Sequence, residues 1–276
     1  MSDTNYILEK EAQKKRFDFG KNWKKFLEGV NNQHIENSKE KLLQGLEMKH
    51  LEGKSFLDVG SGSGLSSLSA KMSGAHVFSF DYDEHSVFST QYLKNKFFNE
   101  DPDWEIEKGS VIDKNYMESL GKFDIVYSWG VLHHTGHLKV ALENVNQNVK
   151  KGGYLFIAIY NDQGVRSRIW KRLKKTYVNF KMTRPLFIAL GYFLFWFPQF
   201  VKGIVTGKPF FQKDYKKKRG MSLHHDIVDW MGGYPFEVAT RENIINLYEN
   251  KGYKLKKLIS CGKKLGCNEY VFKKIT

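Results

Sequence analysis

The sequence predicts an α/β fold: a doubly wound, mostly parallel seven-stranded sheet that ends in an antiparallel hairpin and carries a basic, aromatic helical insertion. Short apolar runs alternate with stretches of helical periodicity over residues 51–162, which implies crossover connections and a parallel sheet covered on both faces. About 80 residues then separate the fifth run from the last helix, far more than a crossover needs. With 276 residues, the chain is long enough for one large core with an insertion.

The first elements are a helix, a strand and a glycine-rich turn. Ile and Leu recur at helical spacing through residues 34–50, and Gly53 ends that pattern. The apolar run 55–59 predicts the first strand, which ends in the sequence GSGSG. Small residues in the following LSSLSAKMSG indicate a tightly packed helix.

The next elements repeat this alternation. The sequence predicts strands at residues 76–80, 104–108, 123–128 and 154–160. A helix over residues 83–98 is expected to turn Val87, Leu93 and Phe97 inward. Another is expected over residues 135–149, capped by Thr135 and stopped by Gly152 and Gly153.

The chain ends with a helix and two strands. Thr240 is predicted to cap the helix, and residues 253–260 and 269–273 predict strands. Their short, glycine-containing link favours an antiparallel hairpin.

Charge is concentrated in one segment of the chain. Between Arg166 and Gly220 there are 15 Lys and Arg and a single acid, Asp214, so the rest of the chain is balanced and the formal charge of +14 belongs to this segment. The two cysteines, Cys261 and Cys267, indicate neither a disulfide framework nor a four-ligand zinc site. Because the first residues lack the apolar core of a secretory signal, we expect a cytoplasmic protein.

A ligand site is predicted at the end of the first strand. Gly60, Gly62 and Gly64 allow a sharp turn and a close approach of the backbone to a ligand, although a glycine triplet alone is also typical of a flexible loop. Asp58 lies in an otherwise apolar strand end, which indicates that it orders the loop or meets a cationic ligand. Asp81 ends the second strand about 20 residues later, the separation at which an acid meets ribose hydroxyls.

The glycine spacing separates two classes of nucleotide site. A dinucleotide fingerprint, G-x-G-x-x-G, needs a glycine where this chain has Leu65. The observed LDVGSGSG resembles the first motif of class I S-adenosylmethionine-dependent methyltransferases, which have a Rossmann-like fold and include the ubiquinone and menaquinone type of small-molecule enzyme. The resemblance covers residues 56–160 and the final hairpin.

This resemblance implies a cofactor, S-adenosylmethionine, whose product is S-adenosylhomocysteine, and a set of binding residues. Asp58 and the turn Gly60, Ser61, Gly62 and Gly64 would lie near the amino acid end, Asp81 at the ribose, and Tyr82, Gly109, Ser110 and Val111 at the adenine. Ser128 and Trp129 would line the passage to the methyl acceptor, and Trp23 of an aromatic N-terminal segment would cover the site. An amphipathic helix packed on the domain is the alternative for that segment. Family members often have an acid where Ser110 stands.

The same reading divides the chain into four segments. Residues 1–50 would be a helical segment covering the site, and 51–162 the cofactor-binding core. Residues 163–238 would be the insertion, and 239–276 the last helix and hairpin that complete the core.

Two histidine pairs are candidates for acceptor chemistry. His133 and His134 follow the fourth strand, where the resemblance places residues facing the acceptor, and imidazole suits removal of a proton from a hydroxyl or acidic carbon. Packing or capping is the competing interpretation. His225, in a stretch that mixes polar and aromatic residues, is the third candidate. No metal site is expected, because the loop around His133 supplies neither an acid nor a cysteine.

The basic segment allows several partners. Its apolar stretch, Leu186 to Phe197, is too short to span a bilayer but could lie in a membrane interface, giving peripheral contact through residues 165–220. A buried lid or a homo-oligomer contact is equally favoured. Nucleic-acid binding, and with it RNA methylation, is less favoured. We therefore expect a small-molecule acceptor, methylated on oxygen or carbon, with a non-catalytic cofactor-binding module as the remaining alternative.

Overall fold

A computed structural model describes residues 31–99, 101–207, 223–262 and 264–276 of the chain. Its seven-stranded sheet has the order β3-β2-β1-β4-β5-β7-β6. The strands are β1 (Ser55–Val59), β2 (His76–Asp81), β3 (Trp104–Lys108), β4 (Phe123–Trp129), β5 (Val149–Tyr160), β6 (Tyr253–Ile259) and β7 (Cys267–Lys274). β1 to β5 pair in parallel, whereas β7 is antiparallel to both β5 and β6. The predicted mostly parallel sheet with an antiparallel C-terminal hairpin is confirmed.

Helices cover both faces of this sheet. The helices of the core are α1 (Asn32–Leu46), α2 (Leu65–Met72), α3 (Glu84–Phe97), α4 (Lys114–Ser119), α5 (Leu138–Gln147) and, late in the chain, α10 (Arg241–Glu249). One buried cluster joins α1, α2 and α3 to the sheet, and the other joins α4, α5 and α10 to its opposite face. Since side chains alternate along a strand, Leu57 and Val59 point to the second cluster while Phe56 and Asp58 point towards α1 and α2.

The inner face of α3 differs from the prediction. Leu93 is buried as expected, but Phe97 is 36% exposed, and the other buried positions are Ser86, Ser89 and Thr90. Small polar residues occupy this face because α3 packs closely against the glycine-rich turn. The apolar periodicity therefore predicted the buried face of α3 incorrectly at Phe97.

The region between β4 and β5 also differs from the prediction. A short turn of 3-10 helix, Leu132–His134, precedes α5, which begins only at Leu138. The Thr135 hydroxyl donates to the carbonyl of Leu132, so it ends this turn and does not cap α5. β5 already begins at Val149 and contains the two glycines that were predicted to stop the helix.

The insertion leaves and rejoins the sheet at one place. The backbone N–H of Ala239 donates to Tyr160, and that of Asp162 donates to Ala239. Between these points lie α6 (Val165–Asn179), α7 (Arg184–Gly191), a π-helical turn (Tyr192–Trp196), α8 (Phe197–Val205) and α9 (Leu223–Gly232). The apolar stretch thus belongs to a longer helical run. None of the helices within the described ranges is long and apolar enough to cross a membrane.

A third apolar cluster joins the insertion to the core. It contains Trp170 and Tyr177 of α6, Ile227 and Met231 of α9, and packs against Tyr160 at the end of β5. The insertion thus contacts the core at the same edge of the sheet where the parallel strands end.

Candidate active site

The turn after β1 is held in a conformation that requires glycine. Gly60 and Gly64 both have φ of 79°, in the left-handed region that other residues enter only with strain. A Cβ on Gly60 would lie 2.4 Å from a methyl group of Val131, and one on Gly64 would lie 2.7 Å from the Cα of Thr90. The turn is therefore packed between α3 and the loop after β4, with Ser61 buried against Thr90 through a 2.8 Å hydroxyl contact.

Asp81, at the end of β2, is fixed beside this turn. One carboxylate oxygen accepts from the backbone N–H of Gly62 at 2.9 Å, and the other accepts from that of Asp83 at 2.9 Å. A carboxylate oxygen can accept more than one hydrogen bond. The carboxylate is thus oriented before any ligand arrives and can accept hydrogen bonds from a diol.

A pocket opens next to Asp81. It is lined by Gly60, Phe80, Asp81, Tyr82, Gly109, Ser110, Val111, Ile112, Val131 and Thr135. Apolar side chains form most of its wall, and the acid lies at one end. This combination fits a nucleoside, whose base needs an apolar slot and whose ribose needs a hydrogen-bond acceptor.

Asp58 ends a buried chain of hydrogen bonds. The indole N–H of Trp104 donates to Ser79, Ser79 donates to Ser67, and Ser67 donates to the Asp58 carboxyl at 2.5 Å. Burial raises the pKa of Asp58 to about 7, Ser67 opposes the shift, and the nearby charge of Asp81 adds to it. Asp58 can therefore change its charge near neutral pH.

The end of β4 carries the next two predicted residues. The Ser128 hydroxyl is fully buried and donates to the carbonyl of Val59 at 2.9 Å, which ties β4 to β1 where the glycine-rich turn begins. Trp129 is 49% exposed. Burial raises the pKa of Glu269 on β7, and the neighbouring Trp129 side chain opposes that rise.

The two histidines after β4 have different environments. His133 is fully buried, with its ring 4.0 Å from that of Tyr160, and burial lowers its pKa well below the usual value, with further lowering by His134 and Lys174. His134 is also buried, and its Nδ1 lies 2.7 Å from the carbonyl of Pro235. In the tautomer that donates this bond, Nε2 carries the lone pair.

Two predicted residues cannot be placed. Trp23 lies outside the described residues. His225 falls in α9, but its side chain also lies outside what the structure describes. Among the residues that are described, no group of three His, Cys, Asp or Glu could hold a metal ion.

Sequence reasoning missed several members of the site. Phe80, Ile112, Val131 and Thr135 line the pocket, yet each is an ordinary apolar or hydroxyl residue in its local sequence. Their common position just beyond the ends of parallel strands was the available signal. Lys174 was also missed: it is fully buried on α6 and lies over the ring of Trp230 at 4.1 Å.

Comparisons with known proteins agree with this geometry. Residues 32–186 match the family model described as a methyltransferase domain. The chain is 29% identical over 136 residues to a ubiquinone biosynthesis O-methyltransferase of Paraburkholderia xenovorans, covering 47% of this chain and 53% of the relative. It is 32% identical over 114 residues to the mitochondrial enzyme of the same name from Mus musculus, covering 41% and 30%. The matched region thus spans about half or less of these relatives.

Solved structures support the fold. Magnesium protoporphyrin IX methyltransferase from Synechocystis PCC 6803, solved with bound S-adenosylhomocysteine, superposes with a TM-score of 0.52 at 14% identity, covering 89% of this chain and 88% of that one. A protein named PKMT2 from Rickettsia typhi gives 0.54 at 12% identity, covering 87% and 53%. The family match extends over more than half of the chain and agrees with the glycine-rich turn, Asp81 and the strand order, so the chain belongs to the class I S-adenosylmethionine-dependent methyltransferase family.

Proposed function

We propose that this methyltransferase acts on a small-molecule acceptor and methylates an oxygen or carbon atom. The observation that carries the proposal is the pocket beside Asp81, whose carboxylate is oriented by the N–H groups of Gly62 and Asp83. Such a site fits a nucleoside, and Val131 and Thr135, which flank His133 and His134 in the chain, belong to its wall. The curated relatives are named for O-methyl transfer in ubiquinone biosynthesis, which supports an oxygen acceptor.

The binding roles follow the shape of the site. Asp81 would hold the ribose hydroxyls, Tyr82, Gly109, Ser110 and Val111 would border the adenine, and Asp58 with Ser61 and the glycines would lie near the amino acid end. S-adenosylmethionine supplies a methyl group on a sulfonium, an electrophile that needs an aligned acceptor in a dry pocket. The chain's task is therefore to orient the acceptor and, for a hydroxyl, to take its proton.

Calorimetry with S-adenosylhomocysteine tests the cofactor site. We expect binding to the wild-type protein and a loss of at least about tenfold in affinity for Asp81→Ala, because two ribose hydroxyls lose a charged acceptor. Asp103→Asn, at an exposed position distant from the pocket, serves as control. Tight binding of a nicotinamide dinucleotide without binding of S-adenosylhomocysteine would contradict the proposal.

His134 is the better placed base of the adjacent pair. Its Nδ1 donates to the Pro235 carbonyl, which orients the ring and leaves the basic lone pair on Nε2. His133 would support it by packing between His134 and Tyr160. For His134→Gln we expect a loss of about 10²–10⁴ in methyl transfer with unchanged S-adenosylhomocysteine affinity. His137→Gln is the control, and an equal loss in both variants would contradict the assignment.

A second function, contact with an anionic membrane surface, is favoured by the outer face of the insertion. Large apolar side chains are exposed there: Phe180, Met182, Leu186, Phe193, Leu194, Phe197, Phe200, Val201, Ile204 and Val205. Leu186, Phe193, Phe197, Phe200 and Ile204 recur at helical spacing, so they share one face. Residues 163–207 contain nine Lys and Arg and no acid, and of the nine only Lys174 is buried. An apolar face with basic borders fits the interface of a bilayer that contains anionic lipids.

Vesicle co-sedimentation tests this contact. We expect the protein to bind vesicles of phosphatidylcholine with phosphatidylglycerol, and Phe193→Asp combined with Phe197→Asp to abolish binding. Phe88→Asp, at an exposed aromatic on α3, is the matched control and should bind like the wild type. Binding to RNA but not to vesicles, or a concentration-dependent dimer lost in the double variant, would replace the membrane by the corresponding partner.

A further inference from the structure

Lys174 is a buried amine on a helix whose neighbouring basic residues are exposed. The buried positions of α6 recur at helical spacing, and they are Ser167, Trp170, Lys174 and Tyr177. Lys174 has no exposed surface, whereas Lys171 and Lys175 beside it are exposed. Because a buried amine loses its hydration, an apolar side chain of the same length would occupy this position at lower cost. The amine therefore needs a role that packing alone does not supply.

The amine of Lys174 binds the end of helix α9. Its Nζ donates to the backbone carbonyl of Trp230, two residues before α9 ends at Gly232. In a continuing α-helix this carbonyl would accept from the N–H of Tyr234, but that N–H donates to Gly232 instead. The Nζ also lies 4.1 Å from the centre of the Trp230 ring and 5.1 Å from that of Phe236. Lys174 therefore fixes the place where the chain leaves α9.

The turn that follows α9 holds the two histidines after β4. The carbonyl of Pro235 lies 2.7 Å from Nδ1 of His134, so it binds the imidazole ring. The backbone N–H of Glu237 donates to the carbonyl of His133 at 3.0 Å, so it binds the backbone of the same loop. Both bonds come from one short segment of the insertion. The orientation of the His134 ring therefore depends on where this segment begins.

Gly233 brings the amine and the imidazole close together. A Cβ at this position would lie 3.0 Å from Cε1 of His134 and 3.4 Å from Nζ of Lys174. Both groups thus border the same small space, which a larger residue would fill. Burial lowers the pKa of His133, and His134 and Lys174 lower it further. The amine is therefore a neighbour of both histidines as well as of α9.

We propose that Lys174 is a positioning residue for His134: it fixes the end of α9 so that the Pro235 carbonyl holds the imidazole with Nε2 as the basic nitrogen. An amine can donate to the Trp230 carbonyl whether it is charged or neutral, so this role does not depend on its protonation. The inference rests on the proposed role of His134 as the base, and it adds the residue of the insertion that orients that base. The insertion thereby takes part in the chemistry of the core.

Nuclear magnetic resonance of the histidine rings tests this positioning without an acceptor. In protein labelled with nitrogen-15 at histidine, the spectrum shows which ring nitrogen of a neutral imidazole carries the hydrogen, and His134→Gln assigns the signal. At mildly alkaline pH, where an ordinary imidazole is neutral, we expect wild-type His134 to carry it on Nδ1 and to exchange it slowly with solvent. For Lys174→Met we expect a mixture of tautomers and exchange at least about tenfold faster, the scale of one hydrogen bond.

Matched variants separate positioning from packing. Methionine has nearly the length of lysine and packs against aromatic rings, so Lys174→Met removes the donor and keeps the apolar stem. Lys174→Gln, whose amide lies on a chain one bond shorter, replaces it if the methionine variant does not fold. Lys175→Met, at the exposed neighbour, is the control and should leave the His134 signal unchanged. A purely structural Lys174 would lower the melting temperature and leave the tautomer and exchange of His134 as in the wild type, and that result would overturn the inference.

The outcomes distinguish this inference from the function on which it rests. We expect S-adenosylhomocysteine to bind Lys174→Met as it binds the wild type, because the pocket is lined by residues between Gly60 and Thr135. If Lys174→Met loses the His134 signal while His134→Gln retains full methyl transfer, the positioning stands and the assignment of the base fails. If S-adenosylhomocysteine does not bind the wild-type protein, the proposed function fails, and the His134 signal still decides the role of Lys174.

Discussion

At the scale of single residues, the two acids of the site differ in what holds them. Asp81 receives two backbone N–H groups, which fix the orientation of its carboxylate. Asp58 is almost completely buried, so burial dominates and raises its pKa to about 7, although the hydroxyl and the backbone N–H of Ser67 oppose that shift. The result is an oriented acceptor, Asp81, in the wall of the pocket and a titratable group, Asp58, buried in the strand that leads into the glycine-rich turn.

Asp58 should make ligand affinity depend on pH. We expect the affinity for S-adenosylhomocysteine, whose amino group is cationic, to rise as Asp58 ionises through its pKa of about 7, by up to about tenfold per pH unit on the acidic side. Asp58→Asn should bind weakly and without this dependence, whereas Asp103→Asn should behave like the wild type. Calorimetry across this range measures it, and identical profiles for the wild type and Asp58→Asn would exclude the contact.

The same titration should act on stability with the opposite sign. Because the folded pKa of about 7 exceeds the ordinary value of 3.8 for an aspartate, the folded protein binds the proton more tightly than the unfolded chain. The contribution of Asp58 to the free energy of unfolding is fully present below the pKa of Asp58 in the unfolded chain. It is lost as pH rises through the pKa of Asp58 in the folded protein. The free energy of unfolding without ligand should therefore decrease over this window for the wild type relative to Asp58→Asn, as denaturant titrations would show.

At the scale of elements, the turn between β1 and α2 combines two constraints at Gly60. One is the left-handed φ of 79°, and the other is the close contact with Val131. The close contact depends on Val131, on the loop after β4, so a smaller residue at that position can relieve it. The left-handed φ is a property of the Gly60 backbone, and no substitution elsewhere relieves it.

A double variant separates these constraints. Gly60→Ala should weaken S-adenosylhomocysteine binding and stability together, because the new Cβ meets Val131. Adding Val131→Ala should remove the steric clash and recover the stability lost to it. A residual destabilisation of about 1–2 kcal/mol should remain, because alanine is strained in the left-handed backbone conformation. Thermal melting with and without ligand reports both quantities. No recovery in the double variant would show that Val131 is not the obstacle.

A buried lysine joins the insertion to the core. Lys174 of α6 donates to the backbone carbonyl of Trp230 on α9 and lies over the rings of Trp230 and Phe236. Burial lowers its pKa to about 7, and Asp229 opposes that shift. The packing of α6 on α9 therefore includes an amine that loses its charge near neutral pH.

Removing this amine should change how stability depends on pH. The folded pKa of Lys174 lies below the ordinary lysine value of 10.5, so the stability contributed by the neutral amine is present above pH 10.5 and is lost as pH falls through about 7. We expect the wild-type protein to gain stability relative to Lys174→Met as pH rises across this interval. The exposed neighbour Lys175→Met is the control, and denaturant unfolding at several pH values is the measurement. If the difference in the free energy of unfolding between the wild type and Lys174→Met does not change with pH, Lys174 keeps one charge state across this interval.

Local sequence patterns predicted the helices and strands better than they predicted the contacts between those elements. β1 was located correctly because an apolar run ended in glycines, and Thr240 was identified as a cap that the structure confirms through its bond to Asn243. The inner face of α3 was missed because its neighbour is a turn, which demands small side chains. Lys174 was missed because its partner, the carbonyl of Trp230, lies on another element, 56 residues away in the chain.

At the scale of the whole molecule, charge and chemistry occupy different parts of the chain. The formal charge of +14 is carried by the segment from Arg166 to Gly220, whereas the pocket is lined by residues between Gly60 and Thr135. The insertion nevertheless touches the core through Tyr160 and through Pro235 and Glu237, which bond to His134 and His133. One part of the molecule can thus meet an anionic surface while the other holds the methyl donor.

This separation predicts two different responses to salt. Raising the ionic strength shortens the screening length from about 10 Å at 0.1 M towards about 3 Å at 1 M, so binding to phosphatidylglycerol vesicles should fall by about tenfold or more over that range. The affinity for S-adenosylhomocysteine should stay within about twofold, because a partly buried pocket is screened much less than exposed charges. Co-sedimentation and calorimetry in the same buffers measure the two. Vesicle binding that ignores salt would mean that the apolar face acts without its basic border, and a parallel loss of ligand affinity would mean that the basic segment also acts on the pocket.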